Sequence, residues 1–249
     1  MRRLFVLWIA LTPLAGQTEE AHTLVQRLLE QYAQIESVSC DIRRDITATE
    51  GSIRWLSRVY FQRGDRLHVE NFAPLPRLII ADGSTMHQHN EDQPRGFRRP
   101  IADLTPVMQA GLRRVPGTWE EHLFRLRDKP EIELEGSGDF PIWRAYETPT
   151  VYAVLQVDDA GRLGRLQLFD ANDRTRLTGE LVGDAFEEVA DGVWIPMVHR
   201  AHFQVGDTAT RERIRFSNYA VNEPIDEQLF KADSHFPDTV EWVDQFEDL

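Results

Sequence analysis

The residues of this 249-residue chain best suited to chemistry are its histidines and its single cysteine. His87-Gln88-His89 puts two imidazoles on one face of an extended segment, because side chains two apart in a strand share a side. His199 and His202 are further nitrogen donors elsewhere in the chain. A metal centre of this kind needs a carboxylate or cysteine pattern nearby, and none is present, so no metal ligand is assigned. Cys40 has no partner for an intramolecular disulfide and reads as a small buried hydrophobe. The motifs that organise enzyme chemistry are missing: there is no G-x-S-x-G elbow, H-E-x-x-H helix, glycine-rich phosphate loop or C-x-x-C pair. With 41 acidic residues, carboxylate pairs arise by chance and none stands out. No catalytic residue and no cofactor are expected, and the chain reads as a binding protein rather than an enzyme.

Charge narrows the partners. Formal net charge is −13, and two units more negative once Arg2 and Arg3 are removed, which argues against nucleic acid and against adhesion to anionic lipid surfaces. Arg2-Arg3, the apolar run Leu4 to Leu11 and the small pair Ala15-Gly16 have the three parts of an export signal, expected to occupy residues 1–17 and to be cleaved. The apolar run is about half of the roughly 20 residues that span a bilayer. Gln17 stands where an acylated lipoprotein would carry a cysteine. The expected product is therefore a periplasmic protein, with residues 18–235 as one domain and 236–249 as an acidic tail.

The elements that must position any site follow from periodicity. Ala21, Leu24, Val25, Leu28, Leu29, Tyr32 and Ile35 recur at helical spacing, and Ser37 to Thr49 then alternates as a first strand. From Tyr60 to His89, three apolar segments are separated by Gly64-Asp65, Pro74-Leu75-Pro76 and Asp82-Gly83, which predicts a curved antiparallel meander. Five or six strands are expected before residue 100. Thr105-Pro106 fits a helix start, with Leu104, Val107, Met108 and Leu112 at helical spacing, and a second helical patch follows Gly117-Thr118. Strands return from Ile132 to Val221, one of them running from Arg174 to Val182. Trp242, Val243, Phe246 and Leu249 have the spacing of a short amphipathic helix. The fold class is α+β, mainly antiparallel β, with one sheet face to be covered by helices.

The order of these pieces resembles the outer-membrane lipoprotein carrier family, the LolA-like proteins. The likeness spans nearly all of residues 18–235: the leading helix into Ser37-Val38, the Phe61 to Gln88 meander, Asp103 to Met108, Asp191 to Pro196, and Asn222 to Phe230. The resemblance implies a curved, unclosed β-barrel capped by helices that enclose an apolar cavity for the acyl chains of a lipoprotein. It implies a cargo site at Leu67, Val69, Val107, Met108 and Leu112, and a lid latch at Arg63, whose planar guanidinium can hold several carbonyls at once. It further implies an acylated lipoprotein or lipid as cargo, an inner-membrane donor, an outer-membrane acceptor, and a monomer. Gly64, His87 and the segment after Phe236-Pro237-Asp238 depart from the family pattern, which leaves open a sensor or protein-interaction module on the same scaffold.

Overall fold

The computed structural model describes residues 21–127, 132–135, 142–148, 151–158, 160–170, 172–173, 175–205 and 208–246. The expected export signal and Leu249 lie outside the described residues. The chain opens with α1 (Ala21–Ala33) and continues through β1 (Ser37–Ala48), β2 (Gly51–Gln62), β3 (Arg66–Ala73), β4 (Arg77–Asp82), β5 (Thr85–Asn90) and β6 (Arg95–Pro100). A 3-10 turn at Ile101–Asp103 leads into α2 (Pro106–Arg113) and α3 (Glu120–Arg127). Then come β7 (Ile132–Glu135), β8 (Ile142–Thr148), β9 (Val151–Val157), β10 (Leu163–Asp170), β11 (Leu177–Ala190), β12 (Val193–Val205) and β13 (Thr208–Val221). Two 3-10 turns, Glu227–Phe230 and Ala232–Ser234, precede the short β14 (Glu241–Val243).

The strands form one sheet in the order β14-β6-β5-β4-β3-β2-β1-β13-β12-β11-β10-β9-β8-β7. Neighbours are antiparallel except β14 and β6, and the sheet ends at β14 and β7 without closing, a curved half-barrel. Pairing of β1 with β13 joins the two meanders at the centre.

A 13-residue helix is marginal alone in water, so α1 owes its stability to the face it buries. Leu24, Val25, Leu28, Leu29, Tyr32 and Ile35 sink into the inner face of the sheet, where they meet Val38, Cys40, Phe61, Leu155, Leu163, Leu166 and Ile195. Each such side chain contributes about 1.5–3 kcal/mol when fully withdrawn from water. Trp119 and Leu123 join the same core, beside α3. A second, smaller cluster of Ala81, Met86, Phe97, Ile101, Leu104 and Leu112 lies under α2. Thr105 starts that helix by accepting a hydrogen bond from Met108 N, with Pro106 in the first turn.

Two expectations are corrected. The strand read as ending at Val182 runs on to Ala190, because its pairing with β12 continues in register from Gly183 to Glu188, through Ala185 at φ 52°, and shifts only between Glu188 and Ala190. Trp242 and Val243, read as part of a helix, lie in a strand. Glu241, Trp242 and Val243 pair with Arg95, Gly96 and Phe97 as a parallel edge strand, so the sheet extends beyond residue 235. The free edge of β6 offers backbone partners that a short acidic helix would lack. Gly96 leaves the space that Trp242 occupies: a Cβ there would sit 2.7 Å from the indole. Phe246 stacks on Phe97 at 4.0 Å between ring centroids.

Candidate functional site

Arg63, Gly64 and Asp65 form the tight turn between β2 and β3, with Gly64 and Asp65 at φ 90° and 62°, a conformation that favours glycine and tolerates aspartate. From this turn, contacts reach each of the three α-helices among the described residues. Arg63 Nε donates to Ile35 O at 2.7 Å and Nη2 to Tyr32 O at 2.9 Å. Carbonyls at a helix C-terminus lack intrahelical donors and carry partial negative charge, so a guanidinium there both satisfies and neutralises them. Arg63 Nη2 also lies 3.2 Å from Glu120 Oε1, at the first residue of α3. Asp65 pairs not with Arg63 but with Arg113 at the end of α2, through two bonds of 2.8 and 3.0 Å that raise the pKa of the arginine.

Glu120 was not singled out by sequence, since one glutamate in an acidic chain carries no signal. It is 2% exposed and its second oxygen accepts Val115 N at 3.0 Å, so it links the loop before α3 to Arg63. Its charge and burial both push the Tyr32 phenol up, burial more strongly. Asn222, visible in the sequence only as the start of an Asn-Glu-Pro run, closes the other side. Its Oδ1 accepts Glu36 N and Ser37 N, and its Nδ2 donates to Gln34 O, fixing the α1–β1 link to the end of β13.

The five residues read as a cargo site separate into groups. Leu67 and Val69 lie on the inner face of β3, partly buried against the main core, and Leu67 also touches the α2 cluster. Met108 and Leu112 face the sheet from α2, Leu112 being 3% exposed. Val107 is 82% exposed and does not share the face of Leu112. Leu67, Met108 and Leu112 therefore come together, while Val107 stands apart.

His87, His89 and His199 are packing elements, whereas His202 faces the open outer side of the sheet. His87 and His89 do share a face of β5, and both are covered by the C-terminal segment: His87 lies 5.2 Å from the Trp242 ring and 6.0 Å from Phe236. Burial lowers the His87 pKa, and its Nδ1 has no hydrogen-bond partner among the described residues. His199 stacks on Trp119 at 4.9 Å and bonds Gly117 O at 3.1 Å, and burial holds its pKa down at about 4. Among the described residues, no group of three or more His, Cys, Asp or Glu is placed to hold a metal. Cys40 is 3% exposed, and burial with Asp41 nearby pushes its thiol up to about 12, which makes it a poor nucleophile.

No protein-family model and no curated protein matches this sequence. Solved structures do resemble it. A DUF1329 family protein from Desulfovibrio piger superposes with a TM-score of 0.57 at 15% identity, over 86% of this chain and 96% of that one. A LolA superfamily protein from Nitrosomonas europaea gives 0.53 at 12% identity, over 84% and 98% of the two chains. An outer membrane lipoprotein-sorting protein domain from Vibrio parahaemolyticus gives 0.51 at 12% identity, over 84% and 96%. With the unclosed antiparallel sheet and the helices on its inner face, these likenesses establish that the chain has the half-barrel fold of LolA superfamily proteins.

Proposed function

We propose that this protein is a periplasmic carrier that holds the acyl chains of a lipoprotein or lipid between the inner face of its sheet and its helices. It would receive cargo from an inner-membrane donor and pass it, as a monomer, towards an outer-membrane acceptor. The observation that carries this reading is the turn at Arg63 to Asp65, from which side chains reach α1, α2 and α3 over the apolar inner face. Supporting it is the shared fold with a lipoprotein-sorting domain. Leu67, Val69, Met108 and Leu112 would line the cargo site, Val107 would join it only if α2 turned inwards, and Arg63 would act as the latch.

An acyl chain of about 15 methylenes gains on the order of 10 kcal/mol on burial, as an upper bound. Here α1 already fills the inner face, with Leu24 and Ile35 fully buried, so cargo must displace side chains that are themselves well packed. The two costs offset one another, and a lid whose states differ by a few kcal/mol can then be tipped by a partner. No covalent step and no cofactor is required.

The same filled interior favours a second reading, a sensor or protein-interaction module on this scaffold. Native mass spectrometry of protein purified from the periplasm without detergent, followed by solvent extraction, separates the two. Stoichiometric lipid or acylated peptide is expected for a carrier; a clean apo mass with a stoichiometric protein partner in a pull-down would favour the module. If Leu67→Glu and Met108→Glu variants load cargo as the parent does, the assigned cavity is wrong.

A further inference from the structure

On the face of the sheet opposite α1, a cleft of about 480 Å³ opens over β10 to β13 and β1. Register places Arg165, Val182, Arg200, Arg213, Asp45 and Arg54 in one cross-strand row over it, on β10, β11, β12, β13, β1 and β2. The adjoining row sets Glu180 opposite His202 and His202 opposite Arg211. Four arginines of these rows line the cleft of a protein whose net charge is −13, so the overall charge does not explain them.

The acids nearby are already engaged. Asp45 is held by Arg43 at 2.9 Å and Arg54 at 2.6 Å, Asp184 pairs with Arg200, and Glu180 accepts from Gln167 at 3.1 Å. Glu212, on the other face of β13, is gripped by both donors of Arg44 at 2.6 and 3.0 Å. The side chains of Arg211 and Arg213 have no ion pair or hydrogen bond with any described residue. They stand two apart on one strand and so project into the cleft side by side, about 7 Å between their Cα atoms.

Arg44 with Glu212 illustrates that one guanidinium fork saturates a carboxylate. Two adjacent forks instead match a tetrahedral oxyanion with three terminal oxygens. The volume of the cleft exceeds that of a bare phosphate and falls in the range of small-molecule sites, roughly 300–1,000 Å³. We propose that this cleft binds a phosphate group carried on a small organic headgroup, with Arg211 and Arg213 holding its oxygens. The site lies on the opposite face from α1 and is independent of what the interior carries. Its local positive charge also gives an otherwise repelled acidic protein one face on which to meet a phosphate-bearing surface.

Two sources supply that chemistry, a soluble phosphomonoester and an anionic lipid headgroup. The test uses the whole chain purified from the cell. Glycerol 3-phosphate and inorganic phosphate are titrated calorimetrically, and flotation is measured with vesicles of phosphatidylcholine alone or mixed with phosphatidylglycerol. Binding of either glycerol 3-phosphate or the mixed vesicles, weakened about tenfold or more in an R211Q/R213Q variant and retained in Arg98→Gln, an exposed arginine of β6 towards the other end of the sheet, is the expected result. The arm that binds identifies the source. Circular dichroism melts establish that both variants fold, and native mass spectrometry of R211Q/R213Q is expected to leave any interior cargo unchanged. Absence of binding in both arms, undiminished binding by R211Q/R213Q, or equal loss in Arg98→Gln would overturn the assignment.

Discussion

Arg63 and His199 are each single side chains whose surroundings predict a measurable behaviour. Arg63→Leu removes two bonds to helix-end carbonyls and leaves Glu120 buried without its guanidinium, at an expected cost of about 3 kcal/mol in urea unfolding. Arg63→Lys is expected to recover only part of this, since a point charge cannot satisfy two carbonyls as a planar fork does. An unchanged midpoint for Arg63→Leu would remove the latch from the argument. For His199, the folded pKa of about 4 lies below the ordinary 6.5, so the unfolded chain binds more protons between those values. Stability is therefore full above pH 6.5 and is lost progressively as pH falls towards 4. The loss is on the order of 2 kcal/mol, allowing for partial solvent contact of the ring. The lowered pKa of His87 adds in the same direction. A pH series of thermal melts tests this, and His199→Phe, which keeps a ring against Trp119, should flatten the slope.

Among the elements, the edge strand β14 and the helix α2 are each held by a local fit. Gly96→Ala brings a methyl to within 2.7 Å of the Trp242 ring and 2.9 Å of Val240, so β14 must lift from β6. Hydrogen exchange of β6 amides is expected to rise while that of β1 and β13 stays unchanged; protected β6 amides in the variant would contradict the fit. Leu112→Ala opens a void in the cluster of Phe97, Ile101 and Leu104, with an expected loss of about 2–4 kcal/mol by urea unfolding. The helices and most strands are legible in the sequence because their signals are local: alternating Val38, Cys40 and Ile42, or Leu24, Leu28 and Tyr32 one turn apart. β14 was not legible. Trp242, Val243 and Phe246 fit a helical spacing as well as a strand, and only the vacant edge of β6 and the absent side chain of Gly96 decide between them.

At the scale of the whole molecule, one continuous sheet carries both core clusters, and Leu67 touches each of them. Tryptophan fluorescence and far-ultraviolet circular dichroism are therefore expected to give coincident unfolding transitions, whereas two separated midpoints would mean that the α2 side folds as its own unit. By itself the sequence determined the α+β class, the leading helix, the meander of Tyr60 to His89 and the burial of Cys40, because hydrophobic periodicity and turn chemistry act between near neighbours. Only the tertiary structure decided that Arg63 meets the carbonyls of Tyr32 and Ile35 and that Asp65 takes Arg113. It alone decided that Val107 points away from Leu112's cluster and that Arg211 and Arg213 open onto a cleft. These pairings join segments far apart in the chain, and they follow from strand register and the curvature of the sheet, which no local pattern encodes.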